Sequence, residues 1–273
     1  MSKSDSLRAG DCRAIVQLVG ECRDLGDDAV AWRMHWVSSL AALVDADLGF
    51  SGEMAGCRDL VPVDLGVTMW WSDGLFPPSI LEAQLESLRD DPGYSPAMLR
   101  YHRENRDAGG LCLSRKMFIA DGDWYGFQDH QSICEPYGID HVLWCFRPIN
   151  ARTRQDESSG LVCCRAQGHR DFDGREVTLV REAHAALAPM VGGALARYGE
   201  PSPRDLAPRV RQVLACMLEG EGDKQIAARL SLSTYTVNQY TKVIFRHFGV
   251  RSRAELSARW IRRGWGSGFS WAE

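Results

Sequence analysis

The sequence predicts an α+β fold in two parts: an N-terminal sandwich built on a central antiparallel sheet with packed helices, then an all-helical domain of four helices. Three observations carry this. Over the first 200 residues, short apolar runs bounded by Gly and Pro interleave with helical patterns. From Pro208 onward every apolar pattern has helical spacing. Between the two lies Tyr198-Gly199-Glu200-Pro201-Ser202-Pro203, where the prolines and the residues before them favour extended backbone. The expected organisation is a first domain at 1–198, a linker at 199–205, a second domain at 206–263 and a tail at 264–273.

Asp28 to Val44 reads as the first helix, with Val30, Val37, Leu40 and Leu43 or Val44 on one buried face. Strands are expected at Leu48 to Ser51, Leu60 to Trp70, Leu111 to Ile119, His141 to Arg147 and Leu161 to Ala166. A helix at Ser79 to Arg89 separates the second strand from the third. Asp173 and Glu176 open a long helix over Arg175 to Arg197, with Val177, Val180, Leu187, Val191 and Leu195 inward and a kink at Pro189.

The second domain punctuates itself clearly. Val210 to Glu219 carries Val213, Leu214 and Met217 at helical spacing and ends at Gly220. Asp223 to Leu230 follows, with Ile226, Ala227 and Leu230 on one face, and Ser231-Leu232-Ser233 is long enough only for a tight turn. Ser233 caps a third helix that runs to about His247, with Val237, Tyr240 or Thr241, Ile244 and Phe248 inward, and Gly249 stops it. Ser252 and Glu255 make the S-x-x-E capping box of a fourth helix ending near Arg263.

Charge divides the chain at the same place. Residues 203–263 hold 12 basic and 5 acidic side chains, a net of +7, and the remainder holds 20 basic and 31 acidic, a net of −11. A basic module attached to an acidic one suits a nucleic-acid-binding domain beside a non-binding one, because neutralising phosphates drives affinity. The polar start, Met1 to Arg8, is no secretory signal, and the best apolar stretch, Trp36 to Val44, is too short to span a bilayer, so a cytoplasmic protein with no membrane partner is expected. Nine cysteines, with only Cys163 and Cys164 adjacent, do not make a disulfide framework.

The second domain resembles the LuxR-type helix-turn-helix family through Leu206, Pro208-Arg209, Val213-Leu214, Glu219-Gly220, Lys224, Ile226-Ala227, Arg229-Leu230, Leu232-Ser233, Thr236-Val237, Ile244, Phe248-Gly249-Val250 and Ser252, in order and without gaps. The resemblance implies a transcription regulator whose partners are double-stranded DNA, a second copy of the chain in a homodimer, and RNA polymerase. The third helix would enter the major groove, with Thr234, Tyr235, Asn238, Gln239, Lys242 and Arg246 turned away from its apolar stripe. The resemblance makes Asn238, Gln239 and Lys242 the base-facing set and adds Lys224 from the second helix. Asn and Gln suit adenine edges, and Lys suits guanine. The alternative for this stripe is a solvated polar face. Val210, Asn238 and Tyr240 depart from the family, which usually has Glu, Lys and His there; the loss of a basic residue at Asn238 alters the expected contacts.

The order of elements in the first domain resembles GAF-like or autoinducer-binding-like sensor domains. Arg170 to Leu195 resembles their closing helix, and Tyr137-Gly138-Ile139-Asp140-His141 a turn and strand entry found there. A small-molecule effector is the partner this implies. Trp70, Trp71, Trp124, Tyr125 and Trp144, with Phe76, Phe127 and Phe146, are candidates for an apolar pocket, and core packing is the alternative for each. His130, Cys134, His141 and Cys145 are four soft ligands in sixteen residues, but their spacing is that of no known zinc finger, so no metal or other cofactor is assigned. A phosphoacceptor receiver is not present: Asp27-Asp28 precedes a helix, and Lys116 is the only lysine between Lys3 and Lys224. Trp70, Trp71 and Asp91-Pro92 are only fragments of the acyl-homoserine-lactone receptor spacing. Without G-x-S-x-G, a P-loop, H-E-x-x-H or Cys-x-x-Cys, an enzyme is not expected; the remaining alternative is a ligand-free protein-interaction or dimerisation scaffold.

Overall fold

The computed structural model describes residues 6–56, 63–72, 96–126, 130–149 and 157–265. The helix expected at Ser79 to Arg89, Phe76 and Phe127 lie outside them. The chain forms two compact units, one of Met1–Cys22 with Arg33–Val191, the other of Arg23–Trp32 with Gly192–Glu273. Residues 199–205, read from sequence as a linker, therefore belong to the second unit.

The first unit is built on a five-stranded antiparallel sheet in the order β2-β1-β5-β4-β3, from β1 (Leu48–Ala55), β2 (Val63–Trp71), β3 (Leu111–Ser114), β4 (Ile139–Pro148) and β5 (Glu157–Ala166). Leu48 lies opposite Trp71 on one side and Cys164 on the other, and Cys112 opposite Cys145. Three of the strands run longer than their apolar cores predict. Those at β4 and β5 take in polar residues such as Ser158 and Ser159, which are buried where periodicity alone suggests loop. Strand β3, by contrast, is shorter than expected: it stops at Ser114, and Arg115–Phe118 forms a helical turn in which Ile119 N–H donates to the Arg115 carbonyl at 2.8 Å.

Helices α1 (Ala9–Asp24), α2 (Ala29–Leu43), α3 (Pro96–Ala108) and α4 (Gly174–Leu187) complete the first part of the chain. Helix α2 is apolar nearly all round, so its hydrophobic stripe is not the one expected. Trp32, Trp36, Val37, Leu40, Ala41 and Val44 are buried, whereas Val30 and Leu43 are 54% and 39% exposed. The pleat separates the sheet's two faces. One receives α2 and α4: Val37 packs on Gly49, Arg33 pairs with Glu53, and His184 sits between Cys145 Sγ (3.4 Å) and Ser159 Oγ (3.0 Å). The other carries Leu48, Met69, Val142, Trp144, Phe146 and Cys164.

Helix α4 begins at the expected capping box. Glu176 N–H donates to Asp173 Oδ1 and Asp173 N–H donates to Glu176 Oε2, both at 2.9 Å. It ends earlier than expected. Pro189 has no N–H to offer the Ala185 carbonyl, so the chain tightens into a 3-10 turn at Ala188–Met190 and becomes extended at Val191 instead of kinking and continuing to Arg197. Val191 and Leu195 are nonetheless buried.

In the second unit α5 (Pro208–Leu218), α6 (Asp223–Arg229), α7 (Thr234–Phe248) and α8 (Arg253–Arg263) enclose a core of Val213, Leu214, Met217, Ile226, Val237, Ile244, Phe248, Leu256 and Trp260. Residues 23–32 and 192–205 are stitched into this unit. The Trp32 and Trp265 indoles donate to the Ala196 and Ala194 carbonyls at 2.9 and 3.0 Å, and His247 Nε2–H donates to the Ser202 carbonyl at 2.8 Å. A Cβ on Gly26 would stand 2.2 Å from the Ala194 carbonyl oxygen, so only glycine permits this approach.

Candidate nucleic-acid interface

Helix α7 is strongly amphipathic, and its ends explain its length. Thr236 N–H donates to Ser233 Oγ at 3.0 Å, filling one of the donors that an α-helix leaves open at its start. Gly249 closes it in the left-handed region at φ 62°. The preceding turn is made at Ser231, which takes φ 54°, and Arg209 reaches across it to the Leu230 carbonyl. At the start of α8, Glu255 N–H donates to Ser252 Oγ (3.1 Å) as expected of a cap. The Glu255 carboxylate, however, accepts from Arg251 N–H (2.8 Å) rather than from Ser252, so the reciprocal bond of the box lands one residue early.

Val237, Ile244 and Phe248 are buried, with Tyr240, Thr241, Val243 and Phe245 half-buried. The remaining side chains form one outward stripe. Thr234, Tyr235, Asn238, Gln239, Lys242 and Arg246 are all exposed, Tyr235 by 73%, and Lys224 is exposed in the first turn of α6. Spacings of three and four residues from Tyr235 to Asn238, Gln239, Lys242 and Arg246 keep them on one side over about 16 Å of helix. The site's cations are uncommitted: among the described residues Lys242 and Arg246 make no ion pair, whereas Arg229 is held by Glu219 and Glu221, and Arg253 by Asp223 at 2.5 Å. The helix thus presents an exposed polar stripe, with two cations unpaired among the described residues, backed by a buried apolar face.

The aromatic residues of the first unit divide. Trp71, Trp124 and Trp144 join Phe146, Tyr101 and Phe118 on one face of the sheet. Tyr101 is the hub: its ring lies 5.7 to 6.0 Å from those of Phe118, Trp144 and Phe146, and its hydroxyl donates to the Leu111 carbonyl at 2.8 Å. It comes from α3, which the strand-centred reading of that region did not predict. Trp70 is left out, because neighbouring residues of a strand point to opposite faces. Tyr125 is 48% exposed, with its hydroxyl donating to Asp140 at 3.0 Å. Trp124 and His130 are buried with ring centroids 5.1 Å apart, and neither Trp124 Nε1 nor His130 Nδ1 has a hydrogen-bond partner among the described residues. The four soft ligands do not converge. Cys134 lies among these aromatics and Cys145 on the opposite face beside His184, and no group of three or more His, Cys, Asp or Glu suited to a metal occurs among the described residues.

Residues 204–259 match the GerE family, bacterial regulatory proteins of the luxR family. Over 84 residues the chain is 32% identical to GfsR, a probable HTH-type transcriptional regulator of Streptomyces halstedii, covering 30% of this chain and 35% of that protein. Over 68 residues it is 34% identical to the transcriptional regulatory protein DesR of Bacillus subtilis, covering 25% of this chain and 33% of that one. The chain thus spans about a third of the length of these two curated relatives. Among solved structures it is similar to Escherichia coli SdiA, with 15% identity, a TM-score of 0.40 and coverage of 93% of this chain and 98% of that one.

Proposed function

We propose that the protein is a cytoplasmic, sequence-specific transcription regulator that reads operator DNA with α7, a helix of the stretch 204–259 that matches the luxR family of bacterial regulatory proteins. The observation that carries this is the exposed Tyr235–Asn238–Gln239–Lys242–Arg246 stripe with its unpaired cations. One short helix reads few base pairs, so the DNA-bound species is a homodimer on a near-palindrome, with RNA polymerase as the partner through which it regulates. Lys242→Ala is expected to weaken operator binding by about 1–3 kcal/mol and to relax preference at one base pair. Arg246→Ala is expected to weaken all sequences alike and to lower the salt slope by about one unit. Fluorescence anisotropy at matched salt distinguishes the two; unchanged affinity for both variants would remove α7 from the interface.

The aromatic face of the first unit supports a sensing role. Trp124 Nε1 and His130 Nδ1, buried without partners beside a large apolar surface, are the few polar groups that an otherwise apolar ligand would satisfy. A ligand alters DNA affinity only if it binds the DNA-competent state differently, and coupling of about 1–3 kcal/mol is typical. Native mass spectrometry of protein purified from its own host is expected to release a small apolar molecule, and adding it back should shift operator affinity by the factor by which operator DNA shifts ligand affinity. A scaffold without ligand predicts neither.

A further inference from the structure

A recess lies wholly within the second unit, lined by none of the residues of the α7 stripe. It is a cleft of about 370 Å³ bounded by Gly192–Gly193, the Gly249–Val250 turn after α7, and the side chains of Arg259, Arg262 and Arg263 from the last turns of α8. Arginines near helix C-termini have an ordinary use, which is to bond terminal carbonyls and oppose the helix dipole. Here Arg259 Nη1 donates to the last carbonyl of α7, Phe248 (2.9 Å), Arg262 Nε to Ala258 within its own helix (3.2 Å), and Arg263 Nη1 to Gly193, which is in no helix (3.2 Å). That use leaves most of their donors over, since a guanidinium has five N–H groups. Arg259 Nε is buried with no partner.

The charges do not balance either. Three guanidiniums meet one carboxylate in the lining, Glu255, and one of its oxygens is taken by Arg251 N–H at the start of α8. Glu200 pairs with Arg263 at 2.6 Å. Arg23 and Arg197 add to the positive side, with Arg23 Nη2 beside Gly264 and the Arg197 stem against Gly192. Burial, then the charges of Arg263 and Arg262, hold Arg259 below the usual guanidinium range. Gly249 has open space where a side chain would stand, so a ligand can approach its backbone closely.

We propose that this cleft binds a small phosphorylated anion, with Arg259 and Arg262 as its forked donors and Arg263 shared between the ligand and Glu200. Guanidinium forks match two phosphate oxygens at once, and the volume suits a pyrophosphate or a nucleotide. Phosphate of the same chemistry also exists in the DNA backbone. The free molecule is favoured because the cleft adjoins Gly249, at the end of α7 farthest from Thr234, where the outward stripe begins, and because it is recessed.

Isothermal titration of the full chain with inorganic pyrophosphate, at constant ionic strength, is expected to show saturable 1:1 binding. Arg262→Glu, at an exposed position, should weaken it about tenfold or more, while Lys116→Gln in the first unit should not. Absence of saturable heat, equal binding by Arg262→Glu, or displacement by equimolar sulfate as effective as by pyrophosphate would overturn the site. Operator DNA separates the two sources of phosphate. Pyrophosphate that stays bound on DNA supports the free ligand, whereas displacement by DNA, with a salt slope about one unit smaller in Arg262→Glu, would assign the cleft to the DNA backbone and overturn the small-molecule reading.

Discussion

Replacing Arg165 by Met is expected to destabilise the first unit by about 3–5 kcal/mol, the cost of breaking a buried ion pair by removing one partner. Arg165 is 1% exposed and organises the junction between the end of α2, β5 and the start of α4. Its Nε donates to the Asp45 carbonyl (2.9 Å), Nη1 to Arg170 and Asp171 (3.1 and 3.2 Å), and Nη2 to the Val44 carbonyl and to Glu176 (2.7 Å). Its guanidinium also lies 4.3 Å over the Phe172 ring. Methionine restores the packing and none of the bonds. Burial pushes the Glu176 carboxyl up, but hydrogen bonds from Arg170, the Asp173 backbone and Arg165 outweigh it and hold the carboxyl below its usual range. The pair therefore stabilises the fold above the unfolded carboxyl pKa and loses that contribution as pH falls through the lowered value. Urea denaturation at pH 7 and at pH 3 checks both points: the variant's deficit should shrink in acid, and a deficit under about 1 kcal/mol at pH 7 would remove Arg165 from this role.

The second large effect concerns Asp27, which is fully buried in the second unit with neither carboxylate oxygen bonded to another residue among the described ones. Burial foremost, with Asp28 adding and Arg204 opposing, pushes its pKa from 3.8 up to about 7. The folded state then binds the proton more tightly than the unfolded state. Its stabilising contribution is complete below about pH 4 and is lost as pH rises through 7, a change on the order of 4 kcal/mol. Asp27→Asn should abolish this slope, leaving the variant more stable than the parent at pH 8, by less than the full amount because the amide also lacks partners. Thermal unfolding of both proteins between pH 4 and 8 reads the difference directly; parallel pH profiles would show that Asp27 is not held neutral.

The second unit was legible because its local signals agree. Ser233, Gly249 and Ser252 mark helix ends chemically, and the apolar spacing of Val237, Ile244 and Phe248 admits only one face. The first unit was less so, for physical reasons that particular residues show. Helix α1 buries only Ile15, Leu18, Cys22 and Asp11, too thin a stripe to stand out, and Asp11 is buried because Arg175, far along the chain, bonds it (Nε to Oδ2, 3.0 Å). Ser158 and Ser159 look like loop until His184 arrives to satisfy one of them. Helix α2 is apolar on so many sides that periodicity cannot orient it, and Val30, inward by spacing, is exposed. The arginine cleft had no motif at all, because its parts are joined only when residues 192–193 fold back onto α8.

Selection from a pool of randomised duplexes with the full chain, at physiological salt, tests the central claim most directly. The account predicts enrichment of near-palindromic sites whose half-sites lie about one helical turn apart, with preference relaxed at one position per half-site when Lys242→Ala is used. A pool that emerges without any enriched sequence would contradict it.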